Sequence, residues 1–458
     1  MPVPDGTIPV AIALLIAGIA TFAFVRIGTV AVGGEEEFKP IVSLWFATFA
    51  LAPGFFLPLE QELGRALAHR RAIGDGSAPV VRKVVRLSAA LVAIIVLVIL
   101  AASPVIASSY FDGDWLMVIA LLATFVAFAP AHLARGICSG SGRFRDYALI
   151  MGSDGVIRIA LTVLLAIIGI KAAGLYGLAI AVSPLFAVGY VWYRGALKPF
   201  PRYRSVDGHV PEDDQVVPDG YVAYDVDDPI DEGSAAEWNE VTPNLGWLLL
   251  GSVFAAALLN AGPITATLLA NDNEGDFVTR FSFGVLLARI PLFLFQAVQA
   301  ALLPGLSRLA ARGELVEFRA GLVRLAYLVI AVGVVGTAGA FVLGPFAAEV
   351  VYEVDLSGRT LAMLALASSF YMLALAIGQA VIALKGHALV ALGWGIGVVT
   401  FVVVTWISSD ELFRRIELGL LFSSIAALCA FTIALRQRLA SGVVPDQGSV
   451  IEATMPLE

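Results

Sequence analysis

The chain has 458 residues, of which 59% are hydrophobic and only 14% charged, with a mean hydropathy of +0.88. Soluble domains carry about 25% charged residues, so this composition excludes an ordinary soluble fold and points to a lipid environment. The net charge of −8 gives no indication of a nucleic-acid partner, because residues 207–240 alone hold twelve acidic side chains and no Lys or Arg.

A membrane span needs about 20 mostly apolar residues. Twelve stretches qualify: 8–32, 41–59, 87–107, 115–133, 148–170, 174–192, 245–269, 277–303, 321–346, 361–384, 389–407 and 418–435. They are continuous rather than alternating, which argues for helices and against a β-barrel. The expected fold is therefore an all-α polytopic membrane protein of about twelve spans. The N-terminus lacks a basic region and carries Asp5 ahead of the first stretch, so it reads as a retained anchor rather than a secretory signal.

Charge sets the orientation. With both termini in the cytoplasm, twenty of the 29 Lys and Arg residues fall in inside segments and six in outside ones. That bias is the one the positive-inside rule requires. The acidic segment 207–240 separates six spans from six. The division is a first bundle over residues 1–195, an acidic flexible cytoplasmic linker over 196–240, a second bundle over 241–438 and a cytoplasmic tail over 439–458. The halves share local patterns about 240 residues apart. Arg65 follows the second span as Arg308 follows the eighth, Pro53 and Pro291 interrupt those two spans, and Val-Arg-Leu opens the third and the ninth around Arg86 and Arg324. An even number of spans per half gives both the same orientation, related by a pseudo-twofold along the membrane normal.

Three arginines, Arg26, Arg158 and Arg289, lie inside apolar stretches, with Asp154 the one carboxylate of comparable depth. A charge there is expensive and faces a bundle interior or a watery cavity. A cavity lined by cations suits an anionic passenger, and the planar fork of Arg suits phosphate. Asp154 and Arg158 are four apart and share a helix face, compatible with an internal ion pair, a cavity lining, or both. Arg289, Gln296 and Gln299 form one polar stripe, either interhelical glue or a cavity face. Asn260, with Thr265 and Thr267, is a further lining candidate, and Arg26 either lines the cavity or snorkels to the outer interface. Both central arginines are expected to face the space between the bundles. Glu60 and Glu62 at the inner end of the second span are gate candidates against Arg65 or Arg308, the alternative being a solvated helix end. Pro53, Pro58, Pro263 and Pro291 can bend helices. Cys138 and Cys429 show no pairing or metal spacing, and His69, His132, His209 and His387 are scattered. Neither a catalytic constellation nor a metal or cofactor site is expected.

Several motifs, in order, resemble those of the bacterial polysaccharide flippases and exporters, Wzx-like members of the MATE-like (MOP) superfamily. They are FFLPLEQELGRAL from Phe55, Arg135-Gly with GSGRFRDY from Gly140, DGVIR from Asp154, and RIPLFLFQAVQAALLP from Arg289. The likeness covers most of the chain apart from linker and tail. The stretch from Arg26 to Glu35 departs from it by being longer than the family's usual end of the first span. The resemblance implies a non-enzymatic flippase for an undecaprenyl-pyrophosphate-type lipid-linked oligosaccharide or related anionic glycolipid. It implies a monomer in the bacterial plasma membrane, among membrane lipids and polysaccharide-assembly partners. A cation-coupled small-molecule antiporter of the same superfamily is the main alternative, although the first span has no Asp or Glu. A membrane glycosyltransferase or polymerase is a third, although the outer loops are short and no nucleotide-binding pattern is present.

Overall fold

The structure is a computed structural model that describes residues 7–72, 74–200, 204–205, 221–222, 234–236, 245–270, 275–292, 295, 309 and 314–440. The first half holds α1 (Thr7–Val32), α2 (Glu35–Ala72), α3 (Ala78–Tyr110), α4 (Trp115–Gly140), α5 (Phe144–Ile168) and α6 (Ala173–Tyr193). The second holds α7 (Leu245–Leu269), α8 (Gly275–Ala288), α9 (Leu315–Val342), α10 (Gly344–Tyr352), α11 (Gly358–Ala383), α12 (His387–Ile407) and α13 (Leu412–Ala440). A two-residue antiparallel pairing, β1 (Arg204–Ser205) with β2 (Tyr221–Val222), lies in the linker. Eleven of the described helices are long and apolar enough to cross a membrane. The expected span 277–303 is described only in part, by α8 and a few residues beyond it. α3, α9 and α12 expose rows of large apolar side chains, such as Leu97, Val98, Val334, Val335, Val402 and Val403. Only lipid accommodates a surface of that kind, which makes this a multi-pass membrane protein.

Local chemistry explains several helix starts. The Asp114 carboxylate caps α4 by accepting from Leu116 N at 2.8 Å, and the Ser357 hydroxyl accepts from Thr360 N at 3.2 Å at the start of α11. Neighbour relations repeat between the halves. α1 packs on α5 as α7 packs on α12, α3 on α4 as α9 on α11, and α4 on α6 as α11 on α13. This is the internal symmetry expected of two parallel repeats.

The bundles meet chiefly where α2 packs on α7 and α8. A Cβ added to Gly54 would come within 3.1 Å of Val253 Cα, so the two backbones approach closely there. At one end of this seam the Ser43 and Thr267 hydroxyls lie 3.0 Å apart. The same end carries charge pairs across the junction, Arg280 Nε to Glu35 Oε2 at 2.7 Å and Arg26 with Glu353. The opposite end gathers the basic side chains. Arg71 donates to Ser141 O at 2.8 Å and Arg143 to Ala196 O at 2.5 Å.

The linker, expected to be a flexible tether with a docking role as the alternative, touches the first bundle through Phe200 and residues 234–236. Phe200 bonds to Ser77, and residues 234–236 bond to Arg70, Asp75 and Lys83.

Candidate functional site

Two prolines build the setting of Arg289. Pro291 has no N–H to give and clashes with the preceding turn, so α8 ends at Ala288 and Arg289 sits at the break. Pro263 in α7 likewise leaves the Leu259 carbonyl, four residues earlier, without its helical donor. Arg289 Nη2 donates to that carbonyl, and Nη1 donates to Asn260 Oδ1 at 3.1 Å. The guanidinium carbon stands 5.3 Å from the Phe46 ring centroid of α2. Arg289 is only 8% exposed and has no carboxylate partner among the described residues. Beside it lies a small cavity of about 30 Å³, walled by Leu258, Val285, Leu364, Tyr371, Leu420 and Ser424. Among the described residues it leaves room for little more than water beside the arginine.

Arg158 is 3% exposed and sits inside the first bundle. It pairs with Asp154 one turn earlier on α5, and the Ser183 hydroxyl of α6 donates to the same carboxylate. Its guanidinium carbon lies 4.7 Å from the Trp45 centroid and 5.7 Å from that of Phe49. Its Nε has no hydrogen-bond partner among the described residues. The two arginines are therefore not brought together on one open cavity. Trp45 and Phe49 present one face of α2 to Arg158, while Phe46, about 100° round the helix, presents another to Arg289. The expectation that both face a shared inter-bundle space is corrected accordingly. Only Arg289 stands at the junction, and α2 lies between the two.

The remaining candidates separate as follows. Arg26 pairs with Glu353 at the start of the loop after α10, so it bridges the bundles at the same end as Glu35 and Arg280 instead of lining a central cavity. Asn260 holds Arg289, as above. Glu62 pairs with Arg65 three residues on along α2 at 2.9 Å. Gln296, Gln299 and Arg308 lie outside the described residues.

Glu60 does not meet Arg65. It points into the first bundle, 5% exposed, and forms a cluster that the sequence reading missed. His132 Nδ1 lies 2.8 Å from Glu60 Oε2, Arg135 Nη2 donates to the same oxygen at 2.8 Å, and the Tyr147 hydroxyl donates to Oε1 at 3.1 Å. Gly136 allows this arrangement, since a Cβ there would come within 2.8 Å of Glu60 O. The spacing of His132 and Arg135, three apart on one face of α4, was the available signal.

The two-bundle arrangement is that of known transporters. An inward-facing multidrug resistance MATE family transporter of the MOP superfamily aligns with a TM-score of 0.65 and 16% identity, over 94% of this chain and 98% of that one. A MATE in the bent conformation aligns at 0.62 and 15%, over 96% and 97%. The Vibrio cholerae MATE transporter VcmN in its bent form aligns at 0.59 and 14%, over 95% and 98%. At these identities the likeness is one of fold: the chain has the MATE transporter fold. No protein-family model matches the sequence, and no curated protein matches it closely.

Proposed function

We propose that this protein is an alternating-access flippase of the bacterial plasma membrane. Its passenger would be an undecaprenyl-pyrophosphate-type lipid-linked oligosaccharide or a related anionic glycolipid, carried for surface polysaccharide assembly, with both termini cytoplasmic. The observation that carries this reading is Arg289. Among the described residues, a guanidinium buried at the bundle junction is met by a carbonyl, an amide oxygen and a ring, and by no counter-ion. An uncompensated buried charge is strongly destabilising, and an anionic ligand supplies what is missing. Arg offers a phosphate two parallel donors, which a lysine cannot. A cavity of about 30 Å³ is far too small for a head group, so the junction would widen before one enters. The charge pairs Glu35–Arg280 and Arg26–Glu353 would part when it opens on their side.

The antiporter reading draws support from the multidrug transporter among the similar folds. It sits poorly with α1, which carries no Asp or Glu to exchange a cation. The test is translocation of a fluorescent pyrophosphate-linked polyprenyl sugar in proteoliposomes. Arg289→Ala should abolish it with the protein still incorporated, and Arg289→Lys should restore it in part. Full activity of the alanine variant, or efflux of cationic dyes in place of lipid transfer, would reject the proposal.

A further inference from the structure

The loop between α2 and α3 is built around charges that a plain connection does not need. Arg70 is 2% exposed and Asp75 7% exposed, and they pair at 3.4 Å. Both bond to Gly76 within the loop and to the backbone of a distant segment. Arg70 Nη1 donates to Gly76 O at 2.8 Å and to Ser234 O at 3.0 Å. Asp75 Oδ1 accepts from Ser234 N at 3.0 Å, and the Ser234 hydroxyl donates to the other carboxylate oxygen. Lys83 at the start of α3 donates to Ala236 O at 2.8 Å. Charge-assisted hydrogen bonds of this kind are about twice as strong as neutral ones. Two buried charges committed to 234–236 therefore amount to a receptor for that segment.

The near end of the linker is held at the same loop. Ser77 N donates to Phe200 O at 3.0 Å, and Phe200 N donates back to the Ser77 hydroxyl at 2.8 Å. Phe200 and Ser234, the two ends of residues 201–233, are thus held at one place on the first bundle. The length between them adds nothing to the distance the second bundle can travel.

We propose that the α2–α3 loop is a docking site whose ligand is the chain's own linker, and that capture of residues 234–236 leaves at most the span from Ala236 to Leu245 as the working tether between the bundles. A chain reaches at most about 3.3–3.6 Å per residue, so the steps from Ala236 to Leu245 span roughly 30 Å, whereas the undocked stretch from Phe200 to Leu245 would span roughly 150 Å. The clasp converts a slack connection into a short one. The tether joins the basic end of the first bundle to the start of α7, and so bounds how far that end can open.

The experiment uses the full-length protein in lipid nanodiscs and requires no substrate. A spin label at Ala235→Cys, with Cys138→Ser and Cys429→Ser, reads docking directly. It should be immobilised in the parent and become mobile when Asp75→Asn and Ser234→Ala are combined. In the same cysteine-free background, labels at Val85→Cys and Trp247→Cys report the opening of the basic end as a distance distribution. A 20-residue Gly/Ser insertion between Asp213 and Asp214 should leave that distribution unchanged. The same insertion between Val241 and Thr242 should broaden it to longer distances, and the Asp75→Asn/Ser234→Ala pair should do likewise. A mobile label at position 235 in the parent overturns the docking. Equal effects of the two insertions, or an unaltered distribution in all three variants, overturn the tether.

Discussion

Trp45 and Phe46 are neighbours in the chain, yet each supports a different buried arginine, Trp45 lying against Arg158 and Phe46 against Arg289. A desolvated cation–π contact is worth about 0.5–2 kcal/mol. In a double-mutant cycle read by unfolding in detergent, Phe46→Leu with Arg289→Met should show coupling in that range. Phe46→Leu with Arg158→Met should show almost none. Coupling of equal size in both cycles would mean that α2 does not separate the two sites.

The Glu60 cluster should be the most sensitive point of the first bundle. Glu60→Ala leaves Arg135 and His132 buried without their anion, and removal of one partner of a buried pair costs about 3–5 kcal/mol. Tyr147→Phe removes one hydrogen bond and should cost about 1 kcal/mol. Thermal unfolding of the purified variants should rank them in that order, and a Glu60→Ala loss below that of Tyr147→Phe would contradict the geometry.

At the opposite end, Glu35 and Arg280 are partly exposed, so their pairing contributes at most about 1 kcal/mol to stability. Its effect should show instead in which conformation is populated. Glu35→Lys should raise the reaction of Thr267→Cys with a membrane-impermeant maleimide, since Thr267 is buried along the same seam. Adding Arg280→Glu should bring the reaction back. If reversal of both charges leaves labelling as high as the single change does, the pair does not hold the seam.

Docking of the linker should depend on acid. Burial works against the Asp75 carboxylate, but the hydrogen bonds from Ser234 and Gly76 and the charge of Arg70 outweigh it and hold the group below its ordinary value of 3.8. The docked form therefore favours the ionised carboxylate. Its stabilisation is complete above the ordinary value and is lost as the pH falls below it, through the depressed one. Mobility of the label at position 235 should be constant from pH 7 to about 5 and should rise only below about pH 4. A rise centred near neutrality would implicate a different group.

Much of the architecture was legible because the membrane simplifies the code. Long apolar runs leave the backbone no alternative to helix, and the acidic break at 207–240 falls between α6 and α7. Arg158 with Asp154, and Pro291 beside Arg289, were legible from spacing alone. What lay beyond reach depended on rotation about helix axes. Arg158 and Arg289 have the same chemistry and depth, and only the placement of Trp45 and Phe46 around α2 assigns them to different sites. Glu60 resembled a solvated helix end because its partners come from α4 and α5, some 70 to 90 positions on. The clasp at Asp75 was hidden for a like reason, since one aspartate among many acidic residues gives no sign that a backbone 159 residues away will bind it.

Pro263 gives the Arg289 contact an unusual reversibility. An ordinary helical carbonyl that receives a side chain must share or surrender its own amide donor. The Leu259 carbonyl has no such donor in any conformation of α7, because the imide nitrogen four residues on carries no hydrogen. The guanidinium can therefore leave for a ligand and come back without a backbone hydrogen bond being made or broken. In the proposed transport cycle the helix would thus be a standing berth for a mobile charge, ready before each departure and unaltered by it.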